Sequence, residues 1–292
     1  MDVDRRTLMK GMLASGALLA LGVPSWALGD QSARRSKHCL LVLSGTGADE
    51  AFARGTQAAC AAMTYDGLRT VQLKGGLLAG MDQMVNLLGH SRGARMIAIL
   101  DDASAVIFLE LARSSGVRML SMGTHACSTD GACRIRHELA STSQGHSAGG
   151  LLASQLRHQQ SSFSIEESFL HDASPGLALT AWSAPGFCSY RSGESESIHL
   201  HCSGLSLPDG CGLLALDTTE QWIPISPQAY DRDSTASPSE NWVESVGYAV
   251  TASALGMDSV KESCSGRAFV HQATESECSG PQERFMSFVM DL

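Results

Sequence analysis

No stretch after residue 29 is apolar for long enough to cross a bilayer, which takes about 20 residues, so the bulk of the chain is expected to be soluble. Positive charge is also scarce: the chain holds 21 Lys+Arg against 30 Asp+Glu. Residues 1–29 hold Arg5, Arg6 and Lys10 against Asp2 and Asp4, which leaves 18 basic against 28 acidic groups in the remainder. A surface with that balance repels phosphate backbones and anionic lipid, which speaks against nucleic-acid and membrane-surface binding. Charged residues make up only 17% of the chain and hydrophobic ones 43%, a globular and not a disordered composition. Internal repeats and low-complexity tracts are missing.

The amino terminus departs from this pattern. A basic region with Arg5, Arg6 and Lys10 precedes an apolar stretch from Gly11 to Val23, which is short for a spanning helix and divides as a signal peptide does. The segment Asp4-Arg5-Arg6-Thr7-Leu8-Met9-Lys10 resembles the twin-arginine export motif. That resemblance implies translocation of an already folded protein by the twin-arginine machinery, and a periplasmic location. Ser25-Trp26-Ala27, between Pro24 and Gly29, suits cleavage after Ala27. No cysteine follows closely, so no lipid anchor is expected.

All nine cysteines lie beyond the signal: Cys39, Cys60, Cys127, Cys133, Cys188, Cys202, Cys211, Cys264 and Cys278. An oxidising compartment favours disulfides, and Cys127 with Cys133, Cys202 with Cys211, and Cys264 with Cys278 each close a short loop. The odd count leaves one sulfur for another fate.

Residues 38–127 read as alternating strand and helix. Strands are expected at 40–43, 68–73, 96–100 and 117–122, with helices at 48–63, 81–88 and 103–115, the last apolar nearly all round and so expected to be covered. Short links between them imply right-handed crossovers and a parallel, flavodoxin-like sheet. Residues 128–292 read as an irregular α+β, disulfide-stapled region that completes the same domain or stands apart. It holds helices at 148–158 and 237–255, the latter opened by a Ser237-Pro238-Ser239-Glu240 capping box. Strands are expected there at 177–182, 197–202, 212–216, 267–271 and 284–290.

Four groups of residues invite chemistry. Gly89-His90-Ser91-Arg92-Gly93 fits the nucleophile-elbow pattern, but a helix precedes it and a strand follows, the reverse of what a serine hydrolase needs. His199 and His201 lie two apart on a strand, on one face, and could grip a metal ion, although Cys202 has a disulfide partner in reach. His125, Cys127, Cys133 and His137 lack zinc-finger spacing and read better as a disulfide-pinned loop. The fourth group is geometric. In an open parallel sheet ligands bind at the carboxyl ends of the strands. Those ends carry Ser44, Gly45 and Thr46, then Gly75 and Gly76, then Asp101 and Asp102, then Thr124 and His125. Small residues leave room and offer backbone donors there, while the paired acids suit an amine or cap the next helix.

The stretch from Arg95 to Gly123, reading RMIAILDDASAVIFLELARSSGVRMLSMG, resembles part of the amino-terminal lobe of type I periplasmic binding proteins. The resemblance implies a lobe that presents a ligand at a small-residue turn. Such receptors have a second α/β lobe, which residues 128–292 do not suggest. The expected function is therefore an exported, non-enzymatic binding or accessory protein with a small-ligand or partner crevice, the partner being for example a periplasmic redox enzyme. A periplasmic enzyme, acting through His199 and His201 or through Ser91, is the alternative. The sequence leaves the identity of any cofactor open.

Overall fold

A computed structural model describes residues 38–128, 134–170, 185–193, 198–216, 221–225, 241–257, 264–273 and 284–292. The twin-arginine segment, the strand expected at 177–182, the Ser237 capping box, Cys133 and Cys278 lie outside the described residues.

The first half follows its sequence pattern. β1 (Cys39–Leu43), β2 (Leu68–Gln72) and β3 (Arg95–Leu100) are mutually parallel in the order β2-β1-β3. β1 and β3 are buried along their whole length, which explains their unbroken apolar runs. The connecting helices are α1 (Asp49–Ala62), the short α2 (Gly76–Ala79) with α3 (Met81–His90), and α4 (Asp102–Ser114). α4 is not covered all round as expected: Val106 stands 58% exposed while Ala105, Phe108 and Ala112 face inward.

Beyond β3 the sheet ceases to be purely parallel. β4 (Arg118–Ser128) lies next to β11 (Arg284–Asp291), and β11 inserts antiparallel between β3 and β4. The remaining strands are β5 (Arg134–Ser141), β6 (Phe163–Phe169), β7 (Cys188–Ser192), β8 (Ile198–Ser203), β9 (Trp222–Pro224) and β10 (Gly266–His271). Together they make one eleven-stranded mixed sheet, β2-β1-β3-β11-β4-β5-β6-β10-β8-β7-β9. The described residues from 134 onward thus continue the sheet, and among them the irregularity expected from residue 128 onward is corrected. Residues expected to form a strand at 212–216 instead follow or end a short helix, α6 (Leu207–Leu213), started by the Ser206 side chain and Pro208.

One face of the sheet is covered by α1, α5 (Gly149–His158) and α7 (Trp242–Ala254). The other is covered by α2, α3 and α4 over one half and by α6 over the other. α7 is buried along almost its whole length and crosses α1 with backbones nearly touching. A β-carbon on Gly55 would overlap the Glu244 carbonyl, and one on Gly247 would overlap the Phe52 carbonyl, so the crossing demands glycine at both positions. The Thr251 hydroxyl donates to Thr56 across it at 3.0 Å. Asn241 caps α7 by accepting from the Val243 amide at 2.9 Å. At the other end of α7, Arg95 donates to the Ala254 carbonyl and pairs with Asp291 at 2.9 Å, tying β3, β11 and α7 together. Among the described residues no helix is long and apolar enough to cross a membrane.

Candidate functional site

β1 connects to β2 through α1 on one face, whereas β3 leaves through α4 on the other, so the chain diverges between the carboxyl ends of β1 and β3. Open α/β sheets form a crevice at such a switch point. Ser44 lies there, 4% exposed, and its hydroxyl has no hydrogen-bond partner. The adjoining turn passes through Gly45 with φ at +87°, a conformation that favours glycine.

The donors of that turn are already engaged. The Asp49 carboxylate, 7% exposed in the first turn of α1, accepts from the Gly45 amide at 2.7 Å and the Thr46 amide at 3.2 Å. It also accepts from the Thr46 hydroxyl at 2.5 Å and the Gln72 amide at 3.2 Å. Asp49 therefore does the work that the sequence reading left to a ligand, and the open group in the turn is Ser44.

At the carboxyl end of β3 Asp101 caps α4, accepting from the Ser104 amide at 2.9 Å and the Ser104 hydroxyl at 2.7 Å. Burial pushes its carboxyl upward, but the bonds from Ser104 and the backbone outweigh that and hold it below the ordinary carboxylate range. Asp102 pairs with Arg284 of β11 at 2.6 Å through Oδ2, while its Oδ1 is buried without a hydrogen-bond partner. β4 runs past its expected end, so Thr124 and His125 sit within it and not at the crevice. Thr124 lies opposite Glu138 and Met286.

His125 faces the sheet's other side, in a buried polar belt that sequence reasoning missed. Strand pairing aligns Phe285, His125, His137, Ile165, Phe269, His201 and Ser189 in one transverse row. The next row holds Ser287, Gly123, Leu139, Glu167, Arg267 and His199. His125 Nε2 meets the Ser287 hydroxyl at 2.8 Å, and its Nδ1 meets His137 Nδ1 at 2.8 Å, one proton serving both rings. Gly123 makes room: a β-carbon there would come within 2.7 Å of His125 Nε2. Burial holds His125 down at about 3, and burial followed by His125 holds His137 well below the usual histidine range. The chain Ser287, His125, His137 has the connectivity of a nucleophile, base and orienting group. Yet these residues are 2%, 0% and 1% exposed, with Phe285 stacked on Trp242 beside them, so no substrate reaches Ser287.

Further along, Glu167 and Arg267 form an ion pair at 3.1 Å with side chains 0% and 3% exposed. The carboxylate also accepts from the Ser147 hydroxyl at 2.8 Å and from the Ala148 and Gly149 amides at 3.2 and 3.3 Å, closing the amino terminus of α5 from the side. The Arg267 guanidinium lies between the Phe169 and Phe269 rings, 5.4 and 5.8 Å from their centroids.

His199 and His201 do share a face, with ring centroids 6.5 Å apart, but both are buried and His201 Nδ1 is engaged by the Ser189 hydroxyl at 2.8 Å. Burial, then Arg267 and His199, keep His201 well below the usual histidine range. Among the described residues no three His, Cys, Asp or Glu side chains converge to hold a metal ion. Ser91 ends α3 and leads into β3, at the sheet edge opposite the crevice. The expected Cys202–Cys211 disulfide is corrected: both stand as thiols within one apolar cluster with Leu200, Leu214, Ala268 and Val270.

Beside the carboxyl end of α6 lies a cavity of about 130 Å³ lined by Glu138, Glu166, Ser168 and Ala268 of the sheet and by Leu214 and Leu216. Glu138 and Glu166 are register partners on parallel strands, so two carboxylates line the same cavity.

No family model, no curated protein and no solved structure matches the chain.

Proposed function

We propose that this is a binding or accessory protein, exported folded by the twin-arginine route to the periplasm, that holds a small donor-rich ligand such as an amine at the crevice between β1 and β3. One observation carries the reading: the Ser44 hydroxyl is buried at the switch point with no partner. A hydroxyl left so costs about 1–3 kcal/mol, and a bound ligand offsets that cost. The ligand's character follows from its surroundings, where Asp49 and Asp102 supply negative charge and Asp102 Oδ1 lacks a donor. The acidic balance of the chain agrees with a cationic guest. The parallel order β2-β1-β3 agrees with the likeness to a periplasmic-binding lobe. A second location is favoured by the Glu138 and Glu166 pair in its cavity.

Native mass spectrometry of protein purified from the periplasm tests the proposal. Wild-type protein is expected to carry a small molecule that Ser44→Ala loses and Glu138→Gln retains. Ligand-free Ser44→Ala is expected to be more stable than ligand-free wild type by about 1 kcal/mol, because a buried unpaired hydroxyl is removed. A variant that keeps its ligand and loses stability would assign Ser44 a structural role. Loss in Glu138→Gln alone moves the site to the cavity.

A further inference from the structure

Cys188 and Cys202 are direct partners in the antiparallel pair β7·β8. Their neighbours Ser189 and His201 bond to each other on the opposite face, so both cysteines point to the face covered by α6. Opposed side chains in such a pair have β-carbons about 4.5–5.5 Å apart, close to the 3.5–4.5 Å a disulfide needs. On its other side Cys202 meets α6: its sulfur lies 2.6 Å from where a β-carbon on Gly210 would stand, and Cys211 follows Gly210 directly. Cys188 is exposed, whereas Cys202 is 2% and Cys211 0% exposed. Burial thus increases from Cys188 to Cys202 and Cys211, and among the described residues no three His, Cys, Asp or Glu side chains converge on a metal position.

We propose that Cys188, Cys202 and Cys211 form a thiol–disulfide exchange relay that takes oxidising equivalents from an external disulfide, of a small molecule or a protein, and stores them as a buried Cys202–Cys211 bond. The Cys188 thiolate attacks the external disulfide R–S–S–R, forming a mixed disulfide and releasing one RS⁻. Cys202 as its thiolate then attacks the Cys188 sulfur, forming Cys188–Cys202 and releasing the second RS⁻. Cys211 as its thiolate attacks the Cys202 sulfur, forming Cys202–Cys211 and returning Cys188 as thiolate. In sum two protein thiols are oxidised, one external disulfide is reduced to two thiols, and Cys188 is regenerated. Burial, then Cys211 and Cys188, push the Cys202 thiol up to about 12, so its attack is slow near neutral pH and quickens as pH rises.

Full-length reduced protein treated with glutathione disulfide, quenched by alkylation and mapped by peptide mass spectrometry, tests the relay. Wild type is expected to end with Cys202–Cys211. Cys211→Ser is expected to accumulate Cys188–Cys202, and Cys202→Ser to stop with glutathione on Cys188. Cys188→Ser is expected to form Cys202–Cys211 at least about tenfold more slowly, since both remaining sulfurs are buried. Because Cys188 is exposed, that variant keeps its fold and decides the matter alone. Oxidation of Cys188→Ser at the wild-type rate overturns the relay, as does a folded Cys211→Ser that never forms Cys188–Cys202. The result is independent of the crevice ligand, so its failure leaves the binding reading untouched.

Discussion

Glu167→Ala is expected to lower the unfolding free energy by about 3–5 kcal/mol, because it strands the Arg267 guanidinium without its carboxylate in a site where both side chains are almost wholly buried. The loss has a second component. Glu167 satisfies the Ala148 and Gly149 amides at the start of α5, and alanine leaves both without a partner. The control is the double variant Glu167→Ala with Arg267→Met, which removes both charges and keeps apolar volume beside Phe169 and Phe269. Replacing both members of a buried pair is far milder than removing one, so the double variant is expected to recover much of the stability. Urea titrations of the two single variants and the double supply the cycle. Equal losses in the single and double variants would show that the amides of α5, and not the ion pair, account for the effect.

Steep acid unfolding is the second large effect. His125, His137 and His201 are held neutral by burial, His125 down at about 3, while each recovers an ordinary value near 6.5 once unfolded. Below pH 6.5 the unfolded chain therefore binds protons that the folded chain refuses, and stability falls as pH falls. Above pH 6.5 neither state binds them and the contribution vanishes. Each group contributes about 1.4 kcal/mol per pH unit, so the three together remove roughly 4 kcal/mol per unit on the acid side. Against a total stability of about 5–15 kcal/mol, cooperative unfolding is expected between about pH 5 and 4. Urea midpoints measured from pH 8 to 5 check this, and His201→Phe should flatten the acid slope by about one third. A stability flat from pH 7 to 5 would mean that protons enter the belt without unfolding it.

What could be read from the chain depended on whether a strand is buried on both faces. Leu40 to Leu43 and Met96 to Leu100 have no exposed side and announce themselves as unbroken apolar runs. β5 and β6 carry their signal differently, since the inward positions of β5 include His137 between Ile135 and Leu139, and those of β6 include Glu167. A histidine or glutamate at an inward position looks like a break in the pattern until its partner, distant in sequence, is placed opposite. The same reason hid the polar belt, whose members come from β4, β5, β6, β7, β8, β10 and β11. In α6 Cys211, Leu213 and Leu214 suit a strand as well as a short helix, and only the Ser206 cap settles the choice. Ser44, Gly45 and Thr46 follow the carboxyl end of β1, and Asp101 and Asp102 that of β3, which are the positions the local strand and turn pattern indicated. The capture of the turn amides by Asp49 needs the actual path of the chain between Ser44 and α1.

The placement of β11 governs when this molecule can assemble. Residues 284–291 lie between residues 95–100 and 118–128, so the strand that joins the two halves of the sheet is synthesised well after both of its neighbours. Until it leaves the ribosome, the flanks of β3 and β4 are bare and Asp291 is not there to meet Arg95. Completion therefore waits for a segment far along the chain and, resting on contacts far apart in sequence, is slow. A nascent chain truncated before residue 284 would display two open strand edges, which are templates for self-association and natural points for a holding chaperone to cover.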